Sequence, residues 1–217
     1  HSNFTELRIV NMGVISNGTT LLDAGALDSG IATGAMTLIK TLTASSSATL
    51  SFVDGASGVV LDSTYKEYIF KFINIHPASA SKFQFNVSID GGSNYNVTKT
   101  TTSFGAYHTE ANDSTSLSYK TAHDLAQGTG YQILSVHGDV GTAADMSYVG
   151  TLKLFNPSST TFVKHFISTG NFVDNGPTSQ NPFVGGYANT TSAVDAIQFK
   201  FSSGNIDAGT IKLYGIT

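Results

Sequence analysis

The sequence predicts an all-β fold, an antiparallel β-sandwich of jelly-roll type behind an extended N-terminal arm. Two observations predict the sandwich. Roughly ten short runs of β-branched and aromatic residues recur about every 8 to 12 residues, each bounded by Gly, Pro, Asn, Asp or Ser. No stretch sustains apolar residues at helical spacing over the length of an ordinary helix. A third observation predicts the arm: residues 1 to 36 are glycine-rich and poor in large side chains. A closed barrel is the alternative way to arrange the same strands, and the lack of an internal repeat of about 20 to 50 residues argues against propellers and solenoids.

The first strand signal, E-L-R-I-V-N-M-G-V-I, lies between Asn3 and Ile15, and Gly18, Gly25, Gly30 and Gly34 follow it. Such a segment has a high ordering entropy and little to bury. Its apolar residues, Leu21, Leu22, Leu27, Ile31 and Met36, are still more than a solvated tail requires, so they predict attachment to a partner's surface. The body is expected to span residues 37 to 217. T-L-I-K-T-L-T (37–43) and S-A-T-L-S-F-V (47–53) open it, with turn signals at Asp54-Gly55 and Ser57-Gly58.

The stretch from Tyr65 to Ile89 is the centre of the pattern. Its first run, Y-K-E-Y-I-F-K-F-I-N-I-H, is apolar on both faces, with Tyr68, Phe70 and Phe72 pointing one way and Ile69, Ile73 and Ile75 the other. A strand of that kind lies within a sheet covered by a second layer. The second run alternates Phe83, Phe85, Val87 and Ile89 with Lys82, Gln84, Asn86 and Ser88, a half-buried strand. Pro77 and Ser79–Ser81 between them predict a hairpin. Asp90-Gly91-Gly92-Ser93 predicts a second hairpin turn, leading to a strand from Tyr95 to Thr101.

Further strands are expected around 105–108, 116–119, 131–136, 146–155, 161–168, 196–201 and 210–216, with one helical turn near A-H-D-L-A-Q and a long polar loop from Gly170 to Pro182. Phe70, Phe72, Phe83, Phe85, Val87, Leu152, Leu154, Phe199 and Leu213 are the expected core.

Composition limits the function. The net charge is −4, from 11 basic and 15 acidic residues, too mild to predict nucleic acid or an anionic membrane as a partner. Charged residues make up 12% of the chain, about half the usual share, so the surface must be Ser, Thr, Asn and Gly, which suits a protein packed against neighbours. With no cysteine, disulfides, zinc thiolates and a cysteine nucleophile are excluded. No apolar run approaches the ~20 residues of a membrane-spanning helix, and the first residues lack the basic and apolar regions of a signal peptide.

The residues with chemical potential form no catalytic pattern. His1, His76, His108, His123, His137 and His165 show no metal-ligand spacing, and the neighbouring His123 and Asp124 should diverge. There is no nucleophile elbow, phosphate loop or dinucleotide fingerprint. Asp54, Asp62, Asp90 and Asp174 sit beside Gly, Ser or Asn, and Asp145 and Asp207 within two residues of one, where Asp builds turns. Asp90-x-Gly92-x-Asn94-x-Asn96 has some calcium-loop character but lacks the central glycine and the distal Glu. Neither a metal nor a cofactor is therefore expected. Tyr95, Tyr107, Tyr119, Tyr131 and Tyr187 flank polar turns and are the candidate glycan-binding residues, since aromatic faces stack on sugars.

Five blocks carry a resemblance: L-I-K-T-L-T-A-S-S-S-A-T-L-S-F-V-D-G, L-D-S-T-Y-K-E-Y-I-F-K-F-I-N-I-H-P, G-G-S-N-Y-N-V-T-K-T-T-T, L-F-N-P-S-S-T-T-F-V-K-H-F-I, and N-T-T-S-A-V-D-A-I-Q-F-K-F-S-S-G-N-I-D-A-G-T-I-K-L-Y-G-I. Together, over residues 38–216, they resemble a family of virion-associated, tail-fibre-like proteins of marine tailed phages. The resemblance implies a non-enzymatic structural protein on the phage particle, a capsid decoration or fibre module that contacts other virion proteins through its arm. A homo-oligomer is expected, a trimer being one order this allows. The alternative expectation is a receptor-recognition adhesin of a tail fibre that binds host surface glycan. No residue receives a catalytic role from the resemblance.

Overall fold

The computed structural model describes residues 35–217 and, before them, the backbone of residues 14–16, 19–23 and 26–27. The chain divides into two units, His1–Ala35 and Met36–Thr217. In the first, β1 (Val14–Ser16), β2 (Thr19–Asp23) and β3 (Ala26–Leu27) pair in an antiparallel meander, with Leu22 opposite both Val14 and Leu27. Leu21 and Leu22 thus lie in β2 and Leu27 in β3. Ile31 and most of the strand expected from Asn3 lie outside the described residues.

The second unit is built from two antiparallel sheets, and the chain passes repeatedly between them. β4 (Met36–Thr43) belongs to the larger sheet, β5 (Leu50–Val53) to the smaller, β6 (Glu67–Pro77) to the larger and β7 (Phe83–Ser88) to the smaller. The hairpin of β8 (Lys99–Thr109) and β9 (Thr115–Tyr119) returns to the larger sheet, and the two-residue β10 (Gln132–Ile133) to the smaller. A meander of β11 (Tyr148–Phe155), β12 (Lys164–Val173) and β13 (Thr178–Ala188) adds to the larger sheet, β14 (Ala196–Phe201) to the smaller, and β15 (Ile206–Ile216) closes the larger. The spatial orders are β4-β15-β6-β11-β12-β13-β8-β9 and β10-β7-β14-β5, so the arrangement is two open sheets and not a closed barrel.

All nine expected core residues are buried between these sheets. Phe199 of β14 is the hub, its ring centroid 5.1 to 6.3 Å from those of Phe52, Phe70, Phe72, Phe83 and Phe85. Phe85 meets Phe166 edge-on at 4.9 Å and bridges the layers further along.

Several expectations are corrected. Residues 65–76 and 82–89 do not form a hairpin. β6 pairs with β11 and β15 while β7 pairs with β10 and β14, so Pro77–Ser81 carries the chain from one sheet to the other. A run that is apolar on one face satisfies a cross-layer neighbour as well as a cross-strand one. The Asp90–Ser93 turn forms, with Gly91 and Gly92 at φ +69° and +80°, but its flanks also lie in different sheets and the next strand begins at Lys99, not Tyr95. Residues 121–130 are turn and coil, and the described residues contain no helix. Met36 opens β4 opposite Ile216 and so belongs to the body and not to the arm.

Ile75 is fully buried with Phe72, not on the opposite face. Asn74, at φ +50°, is an extra residue: Tyr148 pairs with Ile75 but Gly150 with Phe72, and Ala208 pairs with His76 but Thr210 with Ile73. The bulge resets the period-two alternation, so Phe72 and Ile75 both face inward and Ile73 is left outside. Ile89 ends up exposed, and the loop after it buries Asn86 and Ser88 on the other side of β7.

The expected loop from Gly170 to Pro182 is mostly strand. Only Asp174–Pro177 turns, and Pro182 sits in β13 opposite Gly105. A proline costs nothing there because the ladder to β12 lapses, passing from Thr169↔Phe183 to Phe172↔Gln180. Two side-chain amides fill the gap: Asn181 Nδ2 donates to Gly170 O at 2.6 Å and Asn171 Nδ2 to Gln180 O at 2.9 Å.

Candidate functional site

The five tyrosines do not share a face. Tyr131 lies on the outer side of the smaller sheet, its hydroxyl donating to Gln198 Oε1 and its ring 5.2 Å from Lys200 Nζ. Tyr95 belongs to the loop over β7, where its carbonyl accepts from Asn86 Nδ2. Tyr107 bonds Ser114 and meets the His137 ring at 5.8 Å. Tyr119, at the end of edge strand β9, donates its hydroxyl to Asp124 Oδ2 at 2.5 Å. Only Tyr119 and Tyr187 point outward from the larger sheet.

Chemistry-bearing side chains are mostly committed to structure. Asp54, Asp62 and Asp174 accept backbone N–H groups of Leu61, Thr64 and Gly176, as turn aspartates do. Asp90 accepts from Ser88 Oγ, Asn94 N and Asn94 Nδ2, and these bonds hold its carboxyl down at about 2. His123 and Asp124 do diverge: Asp124 takes the Tyr119 hydroxyl, while His123 Nδ1 accepts from His137 N at 3.4 Å. That His123–His137 contact joins residues distant in sequence and had no signal in it. Burial lowers the pKa of both rings. Among the described residues no three His, Asp or Glu side chains gather as a metal set.

A cleft of about 430 Å³ beside the β6 bulge is lined by Asn74, His76, Asp145, Ser147 and Asp207. His76 Nδ1 lies 3.7 Å from Asp207 Oδ2, and Nε2 lies 3.3 Å from Ala143 O.

The outer face of the larger sheet is different. Along β12, β13, β8 and β9 the outward residues include His165, Ile167, Thr169, Asn171, Phe183, Gly185, Tyr187, Thr100, Thr102, Phe104, Leu117 and Tyr119, and none carries Asp, Glu, Lys or Arg. Register arranges them in rows. His165, Tyr187 and Thr100 form one row, Ile167, Gly185 and Thr102 the next, and Thr169, Phe183 and Phe104 the third. Gly185 leaves a gap at the centre of the middle row, between Ile167 and Thr102, and a trough of about 450 Å³ opens over it. His165 and Tyr187, whose rings are 6.0 Å apart, wall one end, and Ile167, Thr100 and Thr102 line the rest; Phe104 and Phe183, stacked at 5.1 Å and 4°, form the next row of the face outside the trough. The sequence analysis missed this site apart from Tyr187. The one signal was V-G-G-Y, two glycines in a strand that needs side chains to pack.

No family model, curated protein or solved structure matches this chain.

Proposed function

We propose that this chain is a non-enzymatic structural module on the surface of a tailed-phage virion, a jelly roll docked through its N-terminal segment as a capsid decoration or fibre component. The strand order supports the jelly-roll reading. Setting aside the β8–β9 and β12–β13 additions, the first, eighth, third and sixth strands (β4, β15, β6, β11) face the second, seventh, fourth and fifth (β5, β14, β7, β10). This is the neighbour pattern of two interleaved Greek keys, an architecture found in viral capsid and lectin domains. The step from fold to role is by analogy and rests on the sequence resemblance.

The observation that carries the reading is the widened sheet. The added strands extend a four-stranded layer to eight and bring exposed Phe104, Leu117 and Ile167 to an outer face where β4, β6 and β11 expose Leu38, Ile73 and Val149. Glu67, Lys71, Lys153 and Lys212 lie on the β6, β11 and β15 half of this face, whereas the β12, β13, β8 and β9 half carries no Asp, Glu, Lys or Arg, and that uncharged, apolar half suits contact with neighbouring protein. Quantitative mass spectrometry of purified virions tests it. The chain should be present in many copies if it decorates the head and in few if it belongs to tail or fibre, and its absence from the particle would sink the proposal.

A second reading, a receptor-recognition adhesin that binds host surface glycan, is favoured by the trough over Gly185, where aromatic walls and hydroxyl groups converge. Host cells should then bind the purified chain, and removal of their surface polysaccharide should abolish that binding.

A further inference from the structure

We propose that the trough over Gly185 is the subsite for one pyranose ring of a neutral glycan. This rests on the adhesin reading and goes beyond it by placing the sugar and naming its chemical class.

Gly185 has no structural reason to be glycine. It lies inside a central strand, where glycine weakens the sheet. Its φ is not positive, and a Cβ built on it would meet only Thr102 Oγ1, at 3.8 Å. The other glycines in the strands of the larger sheet have such a reason. A Cβ on Gly186 would lie 2.5 Å from Thr100 O, on Gly150 2.5 Å from Thr169 O, on Gly170 2.4 Å from Tyr148 Oη, and on Gly215 2.3 Å from the Tyr65 ring. Gly105 would meet the His137 ring at 2.8 Å, and Gly209 has φ +117°. Gly185 alone among them keeps open a space that the fold could fill at no cost. Glycine inside a strand goes with a bulge, a tight bend or the close approach of a ligand or backbone, and the register through Gly185 is unbroken on both sides, which leaves the close approach.

The walls define that ligand. The trough volume of about 450 Å³ falls within the range of about 300 to 1,000 Å³ of small-ligand sites. Tyr187 offers an aromatic face to the C–H side of a sugar ring, and Ile167 a second apolar surface. The Thr100 and Thr102 hydroxyls and the His165 imidazole, all lining the trough, offer hydrogen bonds to ring hydroxyls. Among the described residues an acidic sugar would find no lysine or arginine as a counter-ion here. Lys153 neighbours Ile167 in register, but its Nζ is paired with Glu67 at 3.2 Å, and Lys164 is buried on the inner side, donating to Phe162 O and Thr190 O.

The test uses the purified full chain on arrays of glucose-, galactose- and mannose-terminated oligosaccharides beside sialylated and uronic-acid glycans, with calorimetry on the best neutral hit. Wild type should bind neutral glycans only. Gly185→Val should weaken binding at least tenfold while keeping or raising the melting temperature, since it fills space and adds a β-branched residue to a strand. Tyr187→Ala should weaken binding as much without touching Gly185. Neutral binding that survives Gly185→Val and Tyr187→Ala, or a preference for acidic glycans, overturns the placement and leaves the adhesin reading standing. No binding to any glycan overturns both. Self-association that Gly185→Val abolishes, with no sugar binding in wild type, would assign the trough to a second copy of the chain and overturn the proposal.

Discussion

Lys99 and Asn86 meet side chain to side chain under the loops that cover the outer side of β7, both fully buried, with Lys99 Nζ donating to Asn86 Oδ1 and, at 2.8 Å, to Val97 O. Asn86 Nδ2 in turn donates to Tyr95 O at 2.6 Å and Thr129 O at 3.0 Å, so one lysine–asparagine contact ties two loops to β7. Each acceptor is neutral, and among the described residues Lys99 has no ion pair. Burial without a counter-ion pulls its amine down to about 7.

The pH dependence follows with a definite sign. The folded pKa lies below the unfolded value of about 10.4, so between about pH 7 and 10 the unfolded chain holds a proton that the folded chain lacks. Stability therefore rises with pH across that window, by at most about 1.4 kcal/mol per pH unit from this group. Below about 7 both states are protonated and the contribution is flat. Urea midpoints from pH 6 to 10 should show a steeper alkaline rise in wild type than in Lys99→Met. Equal slopes would mean that Lys99 stays charged in the folded chain.

Phe199 is in ring contact with five other phenylalanines spread over both sheets. Phe199→Ala should cost about 3 to 5 kcal/mol, because a cavity at the hub is bounded by strands of two layers and cannot collapse easily. Phe162, 67% exposed, should cost under about 1 kcal/mol when changed to Ala. Chemical denaturation of the two variants checks the contrast, and similar losses would mean that the core is not centred where Phe199 sits.

The legible and illegible parts of this fold separate along physical lines. Strand identity and core membership follow from local alternation, which is why Phe70, Phe85, Leu152 and Leu213 could be assigned to the interior from their neighbours alone. Pairing is non-local. Asp90–Ser93 makes the same tight turn whether the next strand stays in the sheet or crosses to the other, so the turn residues could not reveal the crossing. Pro182 reads as a strand breaker because the lapse in the β12 ladder that accommodates it is set by Asn171 and Asn181 in the fold. The tyrosines are spread over several faces because proximity to turns says nothing about which face a turn serves. Gly185 was readable only as an anomaly, and its meaning depends on Thr102 and Ile167 on either side.

The Asn74 bulge gives a local test. At φ +50° an asparagine is tolerated, whereas a β-branched residue bears the left-handed penalty of roughly 1 to 2 kcal/mol. Asn74→Gly should be near neutral and Asn74→Val destabilising by about that amount. Gly209→Ala should be worse than Asn74→Val, since its Cβ would lie 2.5 Å from Asn74 O at the same bulge. If Asn74→Val melts like wild type, the bulge does not set the inward turn of Ile75.

Removal of residues 1–34 separates the two units. The body begins at Met36, which pairs with Ile216, and Leu38 pairs with Tyr214, so edge strand β4 keeps its ladder after the cut. Met36 and Leu38 are 40% and 52% exposed, and among the described residues the buried core begins at Ala44. The truncated chain should therefore melt within a few degrees of the full one. If the N-terminal segment is the docking element, truncation should also abolish incorporation into particles or oligomers, measured by co-sedimentation with virions and by light scattering. Unfolding on truncation would make the N-terminal unit part of the body's stability. Normal assembly without it would move the attachment surface to the outer face of the eight-stranded sheet, where Leu117→Lys at the β9 edge should then block assembly and leave the melting temperature unchanged.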